Sequence, residues 1–392
     1  MKKIFFLILI LFVSTAFSAH KLILTGADQP SLYLPLLKNK KVGLFINHSS
    51  LVGKKPLVDF LLNKKIHVTK IFVPEHGLRG DETDGYKIEN SIDKKSGLPV
   101  ISLYGKKTKP TKKDLENVDI LVFDVQDVGV SFYTYISSLQ RLMEAAVENH
   151  KPLIVLDRPN PNGFYVDGPV TQTKSFTGLQ PIAFVHGMTI GEYARMLVGE
   201  QWLNLTPKSK ARELKLTVIR NANYTHKSLY EPPVPPSPNL PNIKSIYLYP
   251  SIGYMEGTVM SVGRGTAKPF QVFGHPSIKT RFTYIPVSRK GAINPLYENQ
   301  VCHGWDLSKY TRQQILKKID GKFQIKFLKE AYNAFPDKKY FFNGAKGSSN
   351  PKNLAYQIRH GFSEHDIRKS WEPELSEFKK IRKKYLLYKD FS

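Results

Sequence analysis

"DILVFDVQDVGVSFYTYISSLQRLMEAAVENHKPLIVLDRP" spans residues 119–159. It opens on a short, wholly apolar run and ends that run on Asp124, Gln126 and Asp127. Ile136, Leu139, Met143 and Ala146/Val147 then recur at helical spacing, and a second apolar run closes on Asp157 and Arg158. Neither run alternates apolar with polar residues, so both read as strands buried on two faces, joined by an amphipathic helix. That is the signature of a parallel β-α-β unit.

The same rhythm extends upstream. "KVGLFINHSS" (41–50), "VTKIFVPE" (68–75) and "LPVISLYG" (98–105) read as three further strands, with a helix at "PLVDFLLNKK" and a short helix from Thr111. Downstream, Thr189 and Glu192 form a capping-box pattern ahead of Ile190, Tyr193, Ala194 and Leu197, and "LKLTVIR" (214–220) is another strand. These patterns predict an α/β protein: a Rossmann-like, doubly wound parallel sheet domain over residues 19–205. From 206 the character changes. "EPPVPPSPNLPN" (231–242) excludes regular structure, long glycine-containing loops follow, and the chain ends in a helix carrying Ile367, Trp371, Leu375, Phe378, Ile381 and Tyr385. Residues 206–392 are read as a second, mixed α/β domain.

Composition sets limits on partners. The 392 residues carry a formal net charge of +25, which favours anionic partners. Lys2 and Lys3, the apolar run Ile4–Val13 and the small residues Ala16 and Ser18 make residues 1–18 a secretory signal peptide. The apolar run is shorter than the ~20 residues of a membrane helix, so no stable span is expected once the signal is removed. An exported protein without a basic run interleaved with aromatics is not expected to bind nucleic acid. The single cysteine, Cys302, excludes an intramolecular disulfide and reads as core filler.

Ligands of doubly wound sheets bind beyond the carboxyl ends of the strands. Polar residues gather there: Asn47 and His48, Glu75 and His76, Asp124 and Gln126, Asp157 and Arg158. Asp124 and Asp157 serve equally well as helix caps or loop acceptors. Glu75 follows a buried strand and a proline, where a partly buried carboxylate suits a general acid. No GxGxxG joins a strand to a helix in the first half, and Walker, GxSxG and HExxH motifs are absent, so no cofactor is expected. His76, Asp81 and Glu82 match no strong metal-ligand spacing, and no metal is expected. In the second half, Glu256 and Arg264 sit among glycines in "MEGTVMSVGRGTAKPF" (255–270), where a glycine-flanked arginine suits a carboxylate.

Taken together, "PEHGLRGDETDG", "GLPVISLYGKKTKPT", "DILVFDVQDVGVSFYTYISSL", "LDRPNPNG", "VDGPV", "PPSPNLP" and "MEGTVMSVGRGTAKPF" resemble the bacterial exo-β-N-acetylmuramidases of the NamZ type. The resemblance runs from about residue 25 to "SWEPELSEFKKIRKKYLLY". It implies a site in the cleft between the two domains. It also implies removal of terminal, non-reducing N-acetylmuramic acid from peptidoglycan-derived muramyl saccharides in the periplasm or outside the cell. It places the family's motif glutamate on Glu75. A second catalytic group, if the protein supplies one, is Glu82, Asp124 or Glu256; a 2-acetamido sugar also permits attack by its own amide. His76, Asn47, Gln126, Asp157, Arg158, Glu256 and Arg264 are the substrate-binding candidates. A non-catalytic wall-binding protein and a metal-dependent hydrolase are the alternatives. Only three tryptophans occur, too few for a long groove of stacking aromatics, which favours action at a chain end.

Overall fold

The computed structural model describes residues 21–75, 77–78, 90–171, 175–342 and 353–391. The expected signal peptide, His76, Asp81 and Glu82 lie outside them. Fourteen strands are assigned among the described residues: β1 Val42–Ile46, β2 Leu51–Val52, β3 Lys55–Pro56, β4 Val68–Val73, β5 Ser91–Ile92, β6 Pro99–Ser102, β7 Ile120–Asp124, β8 Leu153–Leu156, β9 Asp167–Val170, β10 Ala183–Val185, β11 Leu216–Ile219, β12 Val272–His275, β13 Phe282–Tyr284 and β14 Cys302–Asp306. The α-helices are α1 Pro30–Leu37, α2 Leu57–Asn63, α3 Tyr135–Glu148, α4 Ile190–Gly199, α5 Ile243–Ile252, α6 Arg312–Ile319, α7 Ile325–Ala334, α8 Leu354–Arg359 and α9 Glu364–Lys383.

Seven strands form one sheet in the order β11-β8-β7-β1-β4-β6-β5. All its neighbours pair in parallel except the edge strand β5, which runs antiparallel to β6. The six parallel strands leave β1 first to one side and then to the other, the Rossmann arrangement, with its switch point between β1 and β7. The lack of polar alternation in these strands follows from burial on both faces. Leu44, Ile46, Ile71, Val122 and Leu156 meet α1 and α2 through Tyr33, Leu37 and Leu61. Phe45, Phe72, Leu121, Phe123 and Val155 meet α3 and α4 through Leu139, Met143 and Leu197. That second core continues without a break into the C-terminal half, through Tyr247, Ile252, Phe273, Phe323 and Trp371.

The C-terminal half is built from helices α5–α9 around a three-stranded antiparallel sheet, β12-β14-β13. Its last residues return to the first sheet. Tyr388 Oη donates to Asp157 Oδ2 (2.5 Å), and Arg382 pairs with Asp390 while donating to the Gly187 carbonyl. The strand at 214–220 is present as β11 and belongs to the large sheet, so the layer of the first domain continues past residue 205. One expected element is absent: from Thr111 the chain makes turns instead of a helix. Asp114 ties off this segment by accepting from the Thr111 amide and hydroxyl and from Lys107. The capping box at Thr189 and Glu192 is formed, and Cys302 is fully buried, its thiol pushed up to about 11 by that burial.

Candidate active site

The polar strand ends divide into two groups. At the switch point they bond to one another. Asp124, fully buried at the end of β7, is held by Arg158 from the end of β8 through two charge-assisted bonds, Nε–Oδ1 at 2.5 Å and Nη2–Oδ2 at 2.8 Å. Asn47 donates to Tyr135 Oη (3.0 Å) and accepts from Ser49, whose hydroxyl in turn accepts from the Gln126 amide. The Gln126 side chain donates to the carbonyls of Asp127 and Pro159. Asp157 accepts from Thr189 Oγ1 and from the Gly191 amide at the start of α4. The proline-rich segment lies across this region. The Pro235 carbonyl contacts His48 Nε2 (2.7 Å), and the Pro236 carbonyl accepts from Tyr133 and Tyr135 (both 3.2 Å). The chain's own backbone thus takes up the hydrogen bonds of these side chains.

The second group opens onto a cavity of about 180 Å³ beside the end of β4. Glu75, Tyr104, Thr134 and Tyr133 line it from the sheet domain; Tyr249, Glu256, Arg264 and Phe270 line it from the C-terminal half. Glu75 follows β4 after Pro74 and is half-buried. Its Oε1 accepts from Tyr104 Oη at 2.7 Å and its Oε2 from Thr134 Oγ1 at 3.1 Å. Tyr104 stands just past β6, the neighbour of β4, so parallel pairing carries both side chains to the same sheet edge. Thr134 occupies the N-cap position of α3 but makes no side-chain cap bond. Its helical φ of −67° and ψ of −13° are not those of a capping residue, and the hydroxyl goes to Glu75.

Arg264 reaches the cavity from a turn whose flanking residues have positive φ, Gly263 at 81° and Gly265 at 80°, conformations that L side chains rarely adopt. Its Nε donates to Glu256 Oε1 at 2.6 Å, and its guanidinium lies over the Phe270 ring at 5.0 Å. Burial pushes it down to about 10, while the Glu75 carboxylate acts in the opposite direction. It therefore remains a cation at neutral pH. Burial pushes the phenols of Tyr104, Tyr133 and Tyr249 up, Tyr104 further through the charge of Glu75, which keeps all three as neutral hydrogen-bond donors. Tyr249 packs edge-on against Phe270 and Tyr133, giving the cavity an aromatic wall without tryptophan. Among the described residues, no cluster of three or more His, Cys, Asp or Glu is placed to hold a metal ion.

A carboxylate from one half of the chain thus faces an arginine–carboxylate pair from the other, with aromatic surface between them. Residues 42–244 match the family model described as exo-beta-N-acetylmuramidase NamZ, N-terminal, and residues 247–388 match its C-terminal counterpart. The chain belongs to the NamZ family. It is 38% identical over 379 residues to the peptidoglycan beta-N-acetylmuramidase NamZ of Bacillus subtilis, covering 91% of this chain and 89% of that protein. Two crystal structures of DUF1343 family proteins from Bacteroides fragilis share its architecture. One superposes with a TM-score of 0.84 at 44% identity, the other with 0.69 at 28%, each covering 94% of this chain and 99% of its own.

Within this NamZ-family chain, Glu75, Glu256 and Arg264 come together in one cavity. Asn47, Asp124, Gln126, Asp157 and Arg158 are not among its lining residues; each is nearly or fully buried within the switch-point network. His76 and Glu82 lie outside the described residues. Sequence reasoning nominated neither Tyr104 nor Thr134. The signal for Tyr104 was its position at the end of the third strand. Thr134 gave none, because a threonine just before a helix reads as a cap.

Proposed function

We infer that this protein is an exo-acting glycosidase that removes the terminal, non-reducing N-acetylmuramic acid from peptidoglycan fragments. The observation that carries this reading is the cavity in which Glu75, at the end of β4, faces Arg264 and Glu256 from the other half of a NamZ-family chain. Glu75 is the proton donor to the departing sugar oxygen. Glu256 is the second carboxylate of the cavity, and it fixes the plane of the Arg264 guanidinium through Nε. Arg264 receives the lactyl carboxylate that distinguishes muramic acid from glucosamine, a pairing for which a planar guanidinium is well suited. Tyr249 and Phe270 support the sugar ring. Attack on the anomeric carbon falls either to a carboxylate-activated water, to a carboxylate itself, or to the substrate's acetamido group.

The N-terminal pattern of two lysines, an apolar run and small residues supports export, to the periplasm or the medium. The net charge of +25 is suited to fragments bearing lactyl and peptide carboxylates. No helix among the described residues is long and apolar enough to cross a membrane.

Exo-action is supported by the match to the exo-beta-N-acetylmuramidase family models. A time course on a muropeptide oligomer tests this. Monomeric N-acetylmuramic acid is expected from the first sample onward. Mid-sized oligomers that precede the monomer would contradict exo-action.

A further inference from the structure

Tyr104 and Thr134 each give a hydroxyl to a different oxygen of Glu75. We propose that they are a positioning pair, which fixes the rotation of the Glu75 carboxylate so that a chosen oxygen faces the glycosidic oxygen. This rests on the reading of Glu75 as proton donor.

Three observations carry it. The first is that the contacts are divided between the two oxygens. A carboxylate held at one oxygen can still swing about its last bond, whereas one held at both cannot. The second is their inequality: Tyr104 is at 2.7 Å from Oε1 and Thr134 at 3.1 Å from Oε2. Oε1 is held by the shorter bond and Oε2 by the longer one. A threonine hydroxyl can rotate to donate or accept, so it accommodates Oε2 with or without a proton. The third is the helix end. Thr134 stands at the N-cap of α3 and its side chain makes no cap bond. Its backbone is already helical, φ −67° and ψ −13°, so the hydroxyl is not engaged as a cap and is available to Glu75.

Both anchors are set on rigid elements. Tyr104 follows β6, which pairs in parallel with β4, and its ring meets Phe176 edge-on at 6.5 Å between centroids. Thr134 is fixed by the start of α3, whose Tyr135 and Ile136 are buried. The carboxylate is therefore held between the end of one strand, the end of its neighbour and the start of a helix, and small errors in its orientation have large kinetic consequences.

The test is steady-state kinetics of Tyr104→Phe, Thr134→Val and Thr134→Ser on an N-acetylmuramyl-N-acetylglucosamine disaccharide, in the wild-type and Glu75→Gln backgrounds. Thermal melting confirms that each is folded. Tyr104→Phe and Thr134→Val are expected to lower kcat by about tenfold or more, with KM within about twofold, and Thr134→Ser to restore most of the Thr134→Val loss. In the Glu75→Gln background neither change should lower the residual rate further, because groups that act through one residue are not additive. Unchanged kcat in Tyr104→Phe and Thr134→Val would overturn the proposal. So would a loss that persists in full without Glu75, which would make these residues substrate contacts. The underlying reading fails separately: a folded Glu75→Gln enzyme with wild-type turnover would remove the proton donor itself.

Discussion

That Glu75 lines a cavity was legible from its neighbours in sequence, because a carboxylate that ends a buried strand after a proline has few structural uses. Asp124 and Arg158 look the same in sequence and are placed differently. Each ends a buried strand on a charge, and in three dimensions the two charges meet and bury each other. A strand end must also satisfy the backbone of the loop that leaves it, and Asn47, Gln126 and Asp157 are used in that way. Composition cannot separate a polar residue that serves the loop from one that serves a ligand; that depends on which strand ends are covered. Arg264, partly buried, is one that faces the cavity. Its replacement by alanine is expected to weaken the binding of muramic acid glycosides by about tenfold or more, the scale of a lost charge-assisted pair, and to leave glucosaminides nearly unaffected. Competitive inhibition constants for the two sugars measure this, and equal losses for both would make Arg264 a structural residue.

At the scale of elements, the parallel strands were legible because burial on both faces removes polar alternation. The hairpin β2-β3, the edge strand β5 and the pair β9-β10 have between two and four residues per strand, too short for any period to register. The turns after Thr111 mimic a helix start, since a threonine followed three residues later by an acid also closes an Asp-capped turn. The proline-rich segment was read correctly as irregular. Its role in covering the switch point could not be read, because carbonyls carry no sequence signature. The small sheet of the second half makes a pH-dependent prediction. His275 ends β12, edge-on to Tyr297 and Phe335, with Nδ1 accepting the Ser277 amide at 2.9 Å. Burial lowers it from the ordinary 6.5, and protonation of Nδ1 would also break that hydrogen bond. The folded state therefore disfavours the charged ring. Its contribution to stability is present above about 6.5 and declines as the pH falls below that value toward the lower folded value. An NMR titration of the ring proton should give a midpoint below 6.5. A midpoint at or above it would contradict the burial argument.

For the whole molecule, the site depends on both halves being one body. The core on the α3/α4 face of the large sheet runs directly into the C-terminal helices, and the last residues clasp the first sheet through Tyr388 and Arg382. That continuity holds Arg264 and Glu256 opposite Glu75 without a ligand to bridge them. The doubly wound architecture followed from the order of strands and helices, but the location of the cavity did not. It lies beside β4 and β6 and not at the covered switch point, and a cover supplied by residues 231–242 is a long-range fact. The central claim, that this cavity cleaves a muramic acid glycoside with Glu75 as proton donor, is tested most directly by release of free N-acetylmuramic acid from a muramyl disaccharide. Wild type and Glu75→Gln should be compared, with both confirmed as folded by circular dichroism. The wild-type protein is expected to release the sugar, and the variant to turn over at least ~10²-fold more slowly while still binding substrate. A folded Glu75→Gln protein that releases N-acetylmuramic acid at the wild-type rate would contradict the account.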